Sequence, residues 1–334
     1  TIQIVGPPSL TKCTEYLHIN ALSCTATSSN SDTLVWDVAF SPDGTTLATA
    51  GDDDRVKIWR MNGSVPMATG QTLPTTGQGY VAFSPDGKWL AVGSVFGDYE
   101  LYDAKTFQLK ATLNGHDDDI QAVAFTADSK SYWSIDYSGV LTRHDIGGGL
   151  DPGFSVMTGG TGFTLALSPS MTATVQWLAL GFADGTGELA NVAPGMTTPT
   201  PITVSNDMNG VYGMSFSPDG KTLVAGGTDG IVGFWNIPPA ANGASTGATI
   251  VLPDSTNTPE AVKAVKYSPD GKSIAIAAGD PTDEWKVAIY NVATRTMTTK
   301  IPTYTPLSIA WSPSGGIIAA GEDTCGKILI CSDN

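Results

Sequence analysis

Two runs of three carboxylates, Asp52, Asp53 and Asp54, then Asp117, Asp118 and Asp119, are the residues whose type best suits chemistry, since hard cations such as calcium take several carboxylate oxygens. Neither run has the alternating D-x-D-x-D-G spacing of a calcium loop, and the reading they favour is solvated loop charge. The three histidines, His18, His116 and His144, lie far apart and match neither H-E-x-x-H nor a Cys/His metal spacing. His116 reads as a cap on a turn and His144 as a packing residue. Gly-Lys-Thr at 220–222 and Gly-Lys-Ser at 271–273 imitate the tail of a phosphate-binding loop, but the earlier glycine that such a loop needs is absent from both. The sequence therefore points to no catalytic residue, no cofactor and no metal.

The formal charge of -15 comes from 17 Lys+Arg against 32 Asp+Glu. Phosphate backbones are bound by clustered Lys and Arg that release counterions, and no such cluster exists, which argues against nucleic acid and anionic membrane surfaces. A partner with a basic surface, a cation, or plain solubility suits the charge better. No apolar run approaches the ~20 residues that span a bilayer, so no membrane insertion is expected. Thr1 in place of Met suggests a removed leader or a trimmed chain. Asn62-Gly63-Ser64 has the form of a glycosylation sequon.

The elements that would position any site announce themselves as a repeat. VAFSPDGTTLATAG at 38–51, VAFSPDGKWLAVGS at 81–94, MSFSPDGKTLVAGG at 214–227 and VKYSPDGKSIAIAAG at 265–279 are four copies of one unit, and degenerate copies begin near 123, 165 and 308. Anchoring each copy on the apolar residue before Ser or Thr gives Phe40, Phe83, Phe125, Leu167, Phe216, Tyr267 and Trp311, with successive spacings of 43, 42, 42, 49, 51 and 44 residues. That is close to the ~40 to 45 residues of one four-stranded blade. Within each copy an alternating strand leads into Pro-Asp-Gly, where Pro fixes φ and Asp and Gly favour a tight reversal. A second apolar strand rich in small residues follows, then a polar loop, then a third strand with an aromatic near its end, as in VKIWR, YELYD, VGFWN and VAIYN.

This grammar resembles the WD40-repeat family, especially its bacterial members with divergent repeats, over residues 34–334. The resemblance implies an all-β, seven-bladed β-propeller of four-stranded antiparallel blades in one domain spanning 1–334. Residues 1–33 would be the closing segment, and EYLHINALSC at 15–24 would complete the last blade as its outer strand. Phe40, Phe83, Phe125, Phe216, Tyr267 and Trp311 would each be buried between neighbouring blades. Only Gly115 and His116 match the family's Gly-His, and His144 stands where Trp is usual, so the buried His, Ser, Asp and Trp network of many members should be mostly missing.

All four cysteines fall in the two closing segments: Cys13 and Cys24 in one, Cys325 and Cys331 in the other. A Cys325 to Cys331 bridge conflicts with a rise of ~3.3 Å per strand residue and the ~7 Å limit on bridged Cα atoms. Antiparallel neighbours would bring Cys13 toward Cys331 and Cys24 toward Cys325; the alternative is four buried thiols in a cytoplasmic protein. Disulfides would place the chain in a periplasm or outside the cell.

By the family topology the Pro-Asp-Gly turns occupy one face, where Asp is often followed by Lys. The loops between second and third strands, with those entering each blade, would form an acidic rim on the other. Its expected partner-binding residues are Asp52, Asp53, Asp54, Phe96, Asp117, Asp118, Asp119, Tyr137, Phe182, Asp229, Trp285, Glu322 and Asp323, with the aromatics as anchors. The function this implies is a non-catalytic protein-binding scaffold or structural subunit of a larger, extracytoplasmic assembly. The alternative is a propeller enzyme, lactonase-like or of quinoprotein type, with its site at the axial channel mouth; such sites gather His, Asp, Glu and Asn from several blades.

Overall fold

The structure is a computed structural model that describes residues 16–19, 22–28, 34–74, 79–94, 97–147, 152–158, 160–169, 176–192, 202–205, 210–237, 249–251, 261–279, 286–303, 305–322 and 327–333. Every described element is a β-strand, and the strands form seven antiparallel sheets among the described residues. No helix among them is long and apolar enough to cross a membrane.

Each sheet is a blade of the repeat. Blade one runs Val35–Phe40, Thr46–Gly51, Arg55–Asn62 and Val65–Pro74 from the axis outward. The six other inner strands are Gly79–Phe83, Ile120–Phe125, Gly162–Leu167, Val211–Phe216, Ala261–Tyr267 and Pro306–Trp311. Each inner strand touches the next, and Pro306–Trp311 of blade seven lies against Val35–Phe40 of blade one. In blade seven, Leu22–Ser28 pairs antiparallel with Lys327–Asp333. Tyr16–Ile19 then folds back on Leu22–Ser28 as a fifth strand. The segment expected as one outer strand is thus divided between two strands, with the fourth place in the sheet taken by residues further along the chain.

Turn chemistry explains why the repeat folds as it does. In blade one the Ser41 hydroxyl donates to Asp43 at 2.6 Å, and the same carboxylate accepts the Thr45 N–H at 3.0 Å. The pattern recurs at Ser84 and Asp86, Thr126 and Asp128, Ser217 and Asp219, and Ser268 and Asp270. Gly44, Gly87, Gly220 and Gly271 complete these turns at φ of 70, 68, 69 and 71°, a left-handed conformation that favours glycine. The lysine two residues after Asp ion-pairs with it in Lys88–Asp86 and Lys272–Asp270, at 2.9 and 3.2 Å.

Small residues on the second strands let neighbouring blades approach closely. Thr46–Gly51, Trp177–Phe182, Thr222–Gly227 and Ile317–Glu322 are each buried at all but their first residue. Among the anchors Phe125, Phe216 and Tyr267 are buried, while Phe40, Phe83 and Trp311 are half-buried and pack against the same interblade clusters.

In blade three His144 packs as expected, while His116 does more than cap a turn: its Nδ1 lies 2.6 Å from Asp136 Oδ2 and its Nε2 3.0 Å from Ser134 Oγ. Ser134 Oγ in turn meets His144 Nε2 at 3.4 Å. The polar network is therefore present in this blade, with imidazole in the place of indole, and Tyr132 stacks on His144 at 4.7 Å. Gly97 permits it: at φ 79° a Cβ there would stand 2.0 Å from the His116 carbonyl oxygen.

Candidate functional site at the channel mouth

The inner strands enclose a cavity of about 440 Å3 on the axis, lined from all seven blades. A recurring backbone irregularity builds its wall. The pairing of inner with second strand skips one residue near the strand start in six blades, at Trp36, Gln121, Phe163, Tyr212, Lys263 and Leu307. Such a bulge leaves one residue outside the ladder and re-aims its side chain, and all six of these residues line the cavity. Blade two is in register, and Tyr80 takes the corresponding place.

These residues form a graded ring. Tyr137 and Phe163 lie 6.1 Å apart, Phe163 stacks on Tyr212 at 4.4 Å, and the Lys263 ammonium sits 4.3 Å from the centre of the Tyr212 ring. An aromatic arc closed by a cation–π contact thus crosses blades three to six. The wall of blades one to three also carries Asp37, Tyr80, Asp119 and Gln121. Burial pushes the Asp37 carboxyl up to about 6 although it accepts the N–H groups of Val81 and Val38 at 3.0 and 2.9 Å. Burial raises the Tyr80 phenol as well, aided by the charges of Asp37 and Asp119.

Of the residues expected at the rim, Asp119 and Tyr137 line this cavity, and Tyr137 is 49% exposed. Asp52, Asp54 and Asp117 are exposed, while Asp53, Asp118 and Asp229 are half-buried. Several of these acids organise their own loops: Asp52 accepts the Leu34 N–H at 2.7 Å, Asp229 that of Ile231 at 3.1 Å, and Asp53 pairs with Lys57. Phe182 and Glu322 are not at the rim. They end second strands sandwiched between neighbouring blades, are 1% and 2% exposed, and Glu322 accepts the Thr303 hydroxyl. Phe96, Trp285 and Asp323 lie outside the described residues, as do Cys13 and Cys325. Cys331 is disulfide-bonded. The strand register sets Cys24 opposite Cys331 and not toward Cys325, because the paired strand is Leu22–Ser28.

Sequence reasoning missed the channel wall itself. Its signal was there: six wall residues stand four positions before the anchors Phe40, Phe125, Leu167, Phe216, Tyr267 and Trp311.

The family model described as "WD domain, G-beta repeat" matches residues 22–60, 74–98 and 201–236. The chain is similar to "Protein groucho" of Drosophila melanogaster, 23% identical over 265 residues, which are 78% of this chain and 33% of that protein. It therefore spans about a third of that relative's length. The first matched segment takes in Leu22–Ser28 of blade seven and the inner three strands of blade one, the second lies mostly in blade two, and the third covers the outer strand of blade four and most of blade five. With the repeat legible in the sequence and folded into these antiparallel sheets, the matches support a WD40-repeat family for this chain.

Proposed function

We propose that this chain is a non-catalytic protein-binding scaffold that docks its partner over the channel mouth. The observation that carries the reading is the continuous arc of Tyr137, Phe163 and Tyr212, joined by Lys263. Aromatic side chains ringed by polar groups supply large, rigid contact area at interfaces. The acids at Asp52, Asp54 and Asp117 are exposed, and same-sign charge of this kind speeds encounter with a basic partner surface. A disulfide at Cys331 supports placing the assembly in a periplasm or outside the cell.

A catalytic reading of the mouth would have to rest on Asp37, the carboxyl there with a raised pKa. Both of its oxygens already accept backbone N–H groups, one of them across the boundary to blade two, which is the work of a strut.

Purification of tagged protein from its native source, followed by identification of crosslinked chains, tests the proposal. Partners should be captured by the wild type and lost with Phe163→Ala/Tyr212→Ala. Retention by that variant, together with loss on reversing Asp86, Asp219 and Asp270 to Lys, would place the interface on the opposite face.

A further inference from the structure

Asn62-Gly63-Ser64 is the only Asn-x-Ser or Asn-x-Thr triplet in the chain. The fold places it at the outer edge of the molecule, in the hairpin that joins Arg55–Asn62 to Val65–Pro74, the third and outer strands of blade one. Asn62 pairs with Val65, so Gly63 and Ser64 alone make the turn. Gly63 comes first at φ 62°, as two-residue hairpin turns prefer. Asn62 is exposed, and no hydrogen bond holds its side chain among the described residues. A Cβ on Gly63 would meet nothing within 4 Å, so the space beside the asparagine is open.

Side chains alternate across a strand, which puts Arg60 and Asn62 on one face of the blade with their cross-strand partners Met67 and Val65. All four are exposed, while Met61 is half-buried and Pro66 buried on the other face. Val65 and Met67 are each 52% exposed, two of the five large apolar side chains exposed among the described residues. They stand on an outer strand, VPMATGQTLP, that contains no charged residue. Sheet edges normally carry charge, proline, a bulge or a covering group that keeps other chains from adding to them. Pro66 and Pro74 withhold two donors from this edge, yet Val65 and Met67 remain bare beside Asn62.

We infer that Asn62 is the acceptor of an N-linked glycan that lies over Val65 and Met67. The triplet supplies the acceptor amide and, two residues on, the hydroxyl that marks it. The hairpin tip supplies the surface position that so bulky and hydrophilic a group needs. In the transfer, Asn62 Nδ2 forms a bond to the anomeric carbon of an oligosaccharide carried on a lipid diphosphate. The bond from that carbon to the phosphate oxygen breaks, the diphosphate leaves with the electron pair, and the amide gives one proton to a base of the transferase. The apolar C–H faces of the first sugars then rest on Val65 and Met67 while their hydroxyls face water. The inference rests on the proposed placement of the chain in an oxidising, extracytoplasmic compartment, which the disulfide at Cys331 supports.

Peptide mapping of the protein from its native source tests this, before and after N-glycans are released enzymatically in heavy-oxygen water. The untreated peptide that contains Asn62 should carry a hexose- and hexosamine-bearing mass, and release should leave aspartate with one heavy oxygen at position 62. Ser64→Ala should lose the sugar although Asn62 is kept, and Ser64→Thr should retain it. Oxidation by tert-butyl hydroperoxide reads the covering, with Met157, 65% exposed on blade three, as the internal reference. The ratio of Met67 to Met157 oxidation should rise once the glycan is gone. Unmodified Asn62 in the native protein overturns the inference, as does aspartate at that position without any sugar, or a glycan whose removal leaves the oxidation ratio unchanged. Unmodified Asn62 together with a bridged Cys331 overturns the glycan alone and leaves the extracytoplasmic placement standing; unmodified Asn62 with Cys331 as a free thiol removes both.

Discussion

Phe163 and Tyr212 stack across the boundary between blades four and five, with ring centroids 4.4 Å apart and planes 26° from parallel. The pair is held by two backbones, each bulged at that residue, so neither ring needs the other to keep the blade folded. Truncating either to Ala should therefore cost about 2 kcal/mol or more of partner affinity while leaving the unfolding midpoint nearly unchanged. Calorimetric binding beside denaturant unfolding separates the two quantities. Equal losses in both would make these rings part of the core.

The network of blade three should behave in the opposite way. Asp136 is 1% exposed and holds both His116 Nδ1 and the Val140 N–H, so Asp136→Ala leaves buried groups without partners. A loss of about 3 to 5 kcal/mol in urea unfolding is expected, the usual range for a broken buried pair. A loss under ~1 kcal/mol would show the network to be incidental.

His144 and Asp37 set opposing pH dependences. Burial, reinforced by neighbouring His116, lowers His144 from 6.5 to about 4, so the native state holds it neutral. Its share of stability is complete above pH 6.5 and is lost as pH falls through 4. Burial raises Asp37 from 3.8 to about 6, so its share is complete below pH 3.8 and is lost as pH rises through 6. Compared with wild type, His144→Phe should be relatively more stable at low pH and Asp37→Asn relatively more stable at neutral pH. Unfolding free energies measured from pH 4 to 7 decide the matter; parallel curves for wild type and both variants would refute it.

Peptide mapping under non-reducing conditions should recover Cys24 joined to Cys331, since cross-strand partners stand about 4.5 to 5.5 Å apart at Cα. A link between the two ends of so long a chain is worth about 4 to 5 kcal/mol on the chain-entropy account. Reduction should lower the thermal midpoint of the wild type but not that of Cys24→Ser. Recovery of Cys331 joined to Cys13 or Cys325 would mean that the terminal strand is out of register.

Much of the fold was legible because its grammar is local. Ser-Pro-Asp-Gly carries its own hydrogen bonds within five residues, and the seven anchors mark the seven inner strands. Phe182 and Glu322 were misplaced for a different reason. They end second strands that are covered on both faces, where alternation no longer separates inside from outside. The channel wall escaped because a bulge breaks the period-two pattern at the residue that matters. Trp36 and Lys263 occupy equivalent places with unlike chemistry, so composition gave no hint of their kinship.

The bulges have a consequence for how such a chain can change. A residue outside the ladder and facing the axis is not asked to match a cross-strand neighbour or fill an interblade gap. Trp36, Gln121, Phe163, Tyr212, Lys263 and Leu307 thus read as a six-letter word on a fixed frame, one letter per bulged blade. Rewriting that word would retarget the ring without refolding it.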